Sequence, residues 1–173
     1  MISNKARVFT PETKVDENGA EWKYSVFLAG TIEMGNSIDW QAKAIRRLQD
    51  LPIDIYNPRR VVAPDEDLIT EQITWELNSI EKSEFIFMHL AANTVSPISL
   101  YELGLLQGNN RIGQISKTIV VACDPLYTRK TNVQVTLAHK YFGNDDIYFT
   151  HSFEGGLIEL RKRINSCLQY KDF

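Results

Sequence analysis

The chain has 173 residues, 43% hydrophobic and 24% charged, which suits one globular domain with a sizeable core. Its 22 Asp plus Glu against 19 Lys plus Arg argue against a general nucleic-acid-binding surface and leave room only for a local basic site. No apolar run is long enough to span a bilayer, "MISNKARVF" lacks the apolar centre of a signal peptide, and Cys123 and Cys167 are too few for a disulfide framework and show no metal spacing, so a cytoplasmic protein is expected.

In chain order, residues 1–23 stand apart, with "ARVFTPE" and "ENGAEW" as candidates for a hairpin or an edge strand. Tyr24 to Leu28, "YSVFL", is a β-rich run that ends in the glycine turn "AGT". Asn36 with Asp39 forms a capping pair, and Ile38, Ala42, Ile45 and Leu48 repeat at helical spacing to about Gln49. "IDIYNP" reads as a second strand halted by Pro58, followed by a helix from Ile69 to Glu81 with Ile69, Ile73, Leu77 and Ile80 on one face. "EFIFMHL" is a third strand and "SPISLYELGLLQG" a third helix, with Pro97 in its first turn and Gly108 at its end. "KTIVVAC" is a fourth strand whose Cys123 reads as a reduced core thiol, "DIYFT" is a fifth, and a helix from Phe153 to Leu168 closes the chain. No repeat, low-complexity tract or linker divides residues 1–173, so a single domain with an N-terminal extension over 1–23 is expected.

Near-continuous apolar strands alternating with amphipathic helices imply a parallel sheet covered on both faces. The expected fold is therefore α/β, a doubly wound three-layer sandwich of about five strands. Ligands in such sheets bind beyond the carboxyl ends of the strands, where this chain carries "AGTIEMGNS", "NPRR", "HLAANTVSPIS" and "DPLYTRKTN". Within "SPISLYELG", Glu102 stands among Ile98, Leu100, Leu103, Leu105 and Leu106, which read as core. An unpaired buried carboxylate is costly, so Glu102 is expected to be paired, at a cavity, or both. His89, His139 and His151 have no metal spacing; His89 ends the third strand as a polar terminus rather than as an acid or base.

Taken in order, "VFLAGTIEMGNSIDWQ", "YNPRR", "ITWELNSIEKSEFIFMHL", "SPISLYELGLL" and "RKTNV" resemble the nucleoside 2-deoxyribosyltransferase-like family over Ser25 to Val133. The resemblance implies a flavodoxin-like fold and cleavage or transfer of the N-glycosidic bond of deoxyribonucleosides or their 5′-monophosphates, without metal or cofactor. It implies a small nucleoside or nucleotide substrate, with no nucleic-acid polymer and no membrane as partner. Glu102 matches the family's catalytic glutamate, which attacks the anomeric carbon to form a glycosyl ester. Glu76 matches an acid that assists the leaving base, with Glu where Asp is usual; the competing reading is a solvated helix-face charge. Gly30 and Thr31 match positions that lie against the substrate, and Trp75 and Trp40 either stack on a base or belong to the core.

Family transferases usually carry an aspartate six residues before the glutamate and the nucleotide hydrolases a serine; this chain has Ser96. Arg59 and Arg60 would add phosphate contacts if they turn inward, or form a solvated pair if they do not, whereas Glu33 replaces an arginine of the hydrolases. Asn132 matches the residue that transferases insert into a neighbour's site, implying a homo-oligomer with a shared active site; alternatively it caps a helix near Val133. Transfer, hydrolysis of a 5′-monophosphate and a non-catalytic nucleotide-binding module thus remain as three readings of the same residues.

Overall fold

Six short runs rich in β-branched and aromatic residues form the strands of the computed structural model, which describes residues 5–13, 22–32, 38–61, 65–113, 116–139 and 146–169. They are β1 (Arg7–Phe9), β2 (Ser25–Gly30), β3 (Asp54–Tyr56), β4 (Phe85–Leu90), β5 (Thr118–Cys123) and β6 (Ile147–Thr150). Between and after them come α1 (Trp40–Leu48), α2 (Glu66–Lys82), α3 (Pro97–Arg111), α4 (Lys130–Ala138) and α5 (Phe153–Gln169). The strands make one parallel sheet in the order β1-β3-β2-β4-β5-β6, a three-layer flavodoxin-like α/β fold. Leaving out β1, the strand order is the one expected of a flavodoxin-like sheet, with its reversal between β2 and β4. No described helix is long and apolar enough to cross a membrane.

The sixth strand is the edge strand that residues 1–23 offered. β1 pairs parallel with β3, Arg7 opposite Asp54 and Phe9 opposite Tyr56, so "ARVFTPE" does not form a hairpin. Most of "ENGAEW" lies outside the described residues. An edge strand of three residues needs an anchor, and Arg7 supplies it with a two-pronged ion pair: Nε and a terminal nitrogen each donate to one oxygen of buried Asp54, both at 2.7 Å.

The chain forms two compact units, residues 1–28 with 32–84 and residues 29–31 with 85–173. In the first unit, Asp39 caps α1 by accepting from the Ala42 N–H at 2.9 Å, and Asn36 lies outside the described residues. The expected apolar face of α1 is displaced: Trp40, Gln41, Ala44 and Leu48 are buried, while Ile38 precedes the helix and is exposed. In α2 the inner face carries Gln72 and Ser79, and Ile69, Ile73 and Leu77 are 45%, 49% and 54% exposed, so this stripe is not core within the unit. The Trp75 ring takes the inward space, 6.5 Å from Phe27 and 6.2 Å edge-on from Tyr56.

In the second unit, β4 and β5 are almost wholly buried, as strands covered on both faces must be. α3 begins with Pro97 at its first turn and runs to Arg111, past the expected stop at Gly108. α4 was not expected as a helix from Lys130; Asn132 lies inside its first turn and does not cap it. Burial, with smaller effects from Lys130 and Asp124, pushes the Cys123 thiol up to about 11, which fits a reduced and unreactive core cysteine.

Gly30 sets the close approach at the end of β2. Its φ is +133°, and a Cβ there would overlap the carbonyl oxygen of His89 and lie 2.7 Å from that residue's nitrogen. Only glycine meets both conditions. Gly30→Ala is therefore expected to lose more than ~1 kcal/mol of stability, read as a lower midpoint in thermal or chemical unfolding; a variant as stable as the parent would contradict this geometry.

Candidate functional site

In the second unit the end of β2 delivers Thr31 to the loop after β4. The Thr31 N–H donates to the carbonyl of His89 at 2.9 Å, and Thr31 Oγ1 accepts from the Ala91 N–H at 3.1 Å. That places the Thr31 hydroxyl 2.6 Å from Ser96 Oγ and 3.2 Å from Thr94 Oγ1, with Thr94 and Ser96 also 3.2 Å apart. Thr94 spends its proton on the Ala91 carbonyl at 2.8 Å. Either hydroxyl can donate along the Thr31–Ser96 contact, and Ser96 also lies within hydrogen-bonding reach of the Tyr127 hydroxyl. Thr31 and Thr94 are buried and Ser96 is half-buried, so this is a built hydroxyl cluster.

Ser96 is held in the left-handed region, φ 45° and ψ 57°, as the N-cap of α3, yet its side chain makes no capping bond. Serine gives up its usual capping role here in favour of the cluster. Tyr127 braces the same loop, its hydroxyl donating to the Val95 carbonyl at 2.6 Å, while the Leu126 carbonyl accepts from the Asn93 N–H at 3.0 Å. Burial raises the Tyr127 pKa, as does Cys123, and Ser96 and Arg129 partly offset the rise. Below this loop His89 donates from Nδ1 to the Ala122 carbonyl at 3.1 Å and packs edge-on against Phe153, which leaves it a structural polar terminus.

Glu102 is half-buried in the second turn of α3. Its neighbours one turn away are buried Ser99 and Leu106 on one side and exposed Ile98 and Leu105 on the other, so it sits at the margin of the core. One expectation changes: Ile98 and Leu105 are exposed rather than core. The helix dipole, which acts over the first turn, reaches Glu102 only weakly. On the opposite side of α3, Leu100, Leu103 and Gln107 face Arg129, Asn132 and Val133 across a pocket of about 360 Å³. Within one chain Asn132 is therefore turned to the side of α3 away from Glu102.

The first unit holds the remaining candidates. Asn57 starts the "NPRR" loop by accepting the Arg59 N–H on its side chain at 3.1 Å, a local turn that fixes the loop's path. Arg60 is not a solvated arginine: its side chain is 8% exposed and donates to Gln72 Oε1 at 2.6 Å and Glu71 at 3.1 Å. Arg59 is half-buried, with a nitrogen 3.5 Å from Gln41 Oε1. Glu76 is half-buried and accepts from Gln72 Nε2 at 2.6 Å; burial raises its pKa, and the Gln72 hydrogen bond and the Arg60 charge offset part of the rise. The solvated-charge reading of Glu76 does not hold. Trp75 and Trp40 both pack as core-side aromatics, Trp40 fully buried and Trp75 half-buried. Glu33 lies outside the described residues.

Sequence reasoning missed Gln41, Gln72, Thr94 and Tyr127. Gln41 is fully buried, and among the described residues its Nε2 has no hydrogen-bond partner. A glutamine at a helix position that should be apolar is the one signal that could have found it.

The left-handed backbone at Ser96 has a measurable consequence. Ser96→Ala and Ser96→Gly both delete the hydroxyl, but only glycine relieves the strain, so the Gly variant should be about 1 kcal/mol more stable than the Ala variant in chemical unfolding. Equal stabilities, or a more stable Ala variant, would show an unstrained backbone at this position.

No protein with a curated description matches the chain. A family profile described as "Nucleoside 2-deoxyribosyltransferase like" matches residues 23–125, which includes Gly30, Thr31, Arg59, Glu76, Ser96 and Glu102 and stops before Asn132. Matched over more than half its length, and folded as a parallel flavodoxin-like sheet, the chain belongs to the nucleoside 2-deoxyribosyltransferase-like family.

Proposed function

We propose that the protein cleaves the N-glycosidic bond of a deoxyribonucleoside and transfers the deoxyribosyl group to another base, with Glu102 as nucleophile. The observation that carries this reading is the family match running through Glu102, a half-buried carboxylate in the helix whose N-cap, Ser96, belongs to the hydroxyl cluster. In the first step a Glu102 oxygen bonds to the anomeric carbon as the carbon–nitrogen bond breaks. The bonding pair leaves with the base, whose nitrogen takes a proton from Glu76. An anionic carboxylate stabilises the oxocarbenium-like transition state and captures it as an ester. In the second step a nitrogen of the incoming base displaces the ester, frees the Glu102 carboxylate and returns a proton to Glu76.

Burial of Glu76 supports its role, since desolvation raises its pKa and so favours exchange of a proton with the leaving nitrogen. Gly30, Thr31 and Ser96 serve the sugar end, and Trp75 and Arg59 serve substrate binding in the first unit. Asn132 acts in a neighbouring copy's site. Its orientation away from Glu102 within one chain favours that arrangement, and the outward apolar stripe of Ile69, Ile73 and Leu77 suits burial in a homo-oligomer.

A second reading, hydrolysis of a deoxynucleoside 5′-monophosphate with water as acceptor, is favoured by the Ser96 hydroxyl, which can donate to a phosphate oxygen where an aspartate would repel it. Arg60 is engaged by Gln72 and Glu71, so it is not a free phosphate contact, and on this reading the phosphate contact is Ser96.

Incubation with deoxynucleosides and their 5′-monophosphates, with and without a second free base, followed by chromatography, separates the readings. Transfer gives a new nucleoside only when the second base is present; hydrolysis gives free base and sugar or sugar phosphate regardless. No product from any substrate would leave a binding module. Glu102→Ala is expected to lower base release by ~10³-fold or more, about 4 kcal/mol of transition-state stabilisation, while the half-buried position lets the fold survive. Normal turnover per folded molecule in Glu102→Ala would end the nucleophile assignment.

A further inference from the structure

We propose that Gln72 is the positioning residue for Glu76, held in one orientation by Arg60 so that its amide N–H fixes one carboxyl oxygen of Glu76 and leaves the other to carry the transferable proton. This rests on the reading of Glu76 as the proton donor and adds Gln72, a residue that no motif of the chain pointed to.

The orientation follows from donor and acceptor chemistry. A guanidinium only donates, so the Gln72 atom 2.6 Å from Arg60 Nε is the amide oxygen. The amide nitrogen therefore faces the Pro58 carbonyl at 2.9 Å and Glu76 Oε1 at 2.6 Å, and both of those groups accept. Flipping the amide would set N–H against guanidinium and oxygen against two acceptors. The two Gln72 N–H protons and its oxygen are thus all committed, in a side chain that is buried. With Oε1 of Glu76 accepting a hydrogen bond, the proton of the neutral acid resides on Oε2. Among the described residues the charged groups that bear on this carboxyl are Arg60 from the loop after β3, and behind it Glu71 of α2 and Glu12 of the N-terminal segment, 3.1 and 4.0 Å from the guanidinium.

The loop explains why the relay holds. Asn57 is tied to β1 through its N–H to the Phe9 carbonyl at 2.8 Å, and its side chain shapes the turn into Arg59. That turn brings the Pro58 carbonyl and the Arg60 side chain to the same glutamine. Gln72 lies one helical turn before Glu76, so the two side chains meet on one face of α2.

The test compares the parent with Gln72→Leu and Gln72→Glu, measuring kcat and KM separately and titrating the Glu76 carboxyl by carbon NMR. Gln72→Leu removes the donor to Glu76. The expected result is a kcat lower by ~10-fold or more with KM changed by less than about threefold, together with a Glu76 midpoint above the parent's, because a hydrogen bond to the charged form is gone. Gln72→Glu retains an acceptor for Arg60 and so protects the fold, but cannot donate when ionised; it should raise the Glu76 midpoint too, and it decides the matter if the leucine variant does not fold. A parent-like midpoint in the folded variant overturns the positioning role, as does a parent-like kcat. If the parent releases no base from any substrate, the functional reading fails by itself, and the titration still decides whether Gln72 holds Glu76.

Discussion

The close approach of the end of β2 to β4 at Gly30 is the constraint on which the hydroxyl cluster depends. A residue with a side chain there would meet the backbone of His89, and β2 would have to leave the sheet earlier. Because glycine allows the contact, Thr31 continues along β4, its N–H on the His89 carbonyl, and its hydroxyl arrives beside Ala91, Thr94 and Ser96. The strained backbone at Ser96 belongs to the same construction. A serine that could have capped α3 is turned into the left-handed region and joins the cluster, a local cost of the kind that folds carry where a side chain is aimed for function. Both positions follow strands that flank the reversal of strand order, Gly30 at the end of β2 and Ser96 in the loop after β4.

The two carboxylates of the proposed reaction have different surroundings. Glu76 is desolvated, which raises its pKa, and is hydrogen-bonded through Gln72 to Arg60, which holds the side chain in place. Glu102 stands at the margin of the core in the second turn of α3, where the helix dipole contributes little, so its chemistry depends on position more than on the helix end. The buried Cys123 thiol, pushed up to about 11, takes no part.

The fold was legible because its signal is carried by strands. "SVFLAG", "FIFMHL" and "TIVVAC" are buried nearly throughout, and such runs announce a covered parallel sheet. Helix faces were less legible. Ile69, Ile73 and Leu77 look like a core stripe by spacing, yet they point outward while Gln72 and Ser79 point inward, since spacing reveals that a helix has an apolar face but not what covers it. α4 entered only as an alternative, a helix near Val133, because "KTNVQVTLA" has almost no sidedness, with only Val133 and Leu137 buried. Of the candidate site, Glu102, Ser96 and Thr31 were nominated through motifs, and the structure brings Thr31 and Ser96 together. The supporting residues were not found, because Gln72, Gln41 and Thr94 act through partners far away in sequence or at unremarkable spacing, and a polar residue's burial cannot be read from its neighbours.

The central claim is that Glu102 becomes covalently attached to deoxyribose during turnover. Mixing the protein with each deoxynucleoside or deoxynucleoside 5′-monophosphate, quenching in acid within the first turnovers and measuring the intact mass and then the peptide masses tests it directly. The account predicts an adduct of one deoxyribosyl or deoxyribosyl phosphate group on the peptide that contains Glu102, absent from Glu102→Gln. Steady base release by the parent with no adduct at any quench time, and an unmodified Glu102 peptide throughout, would contradict it.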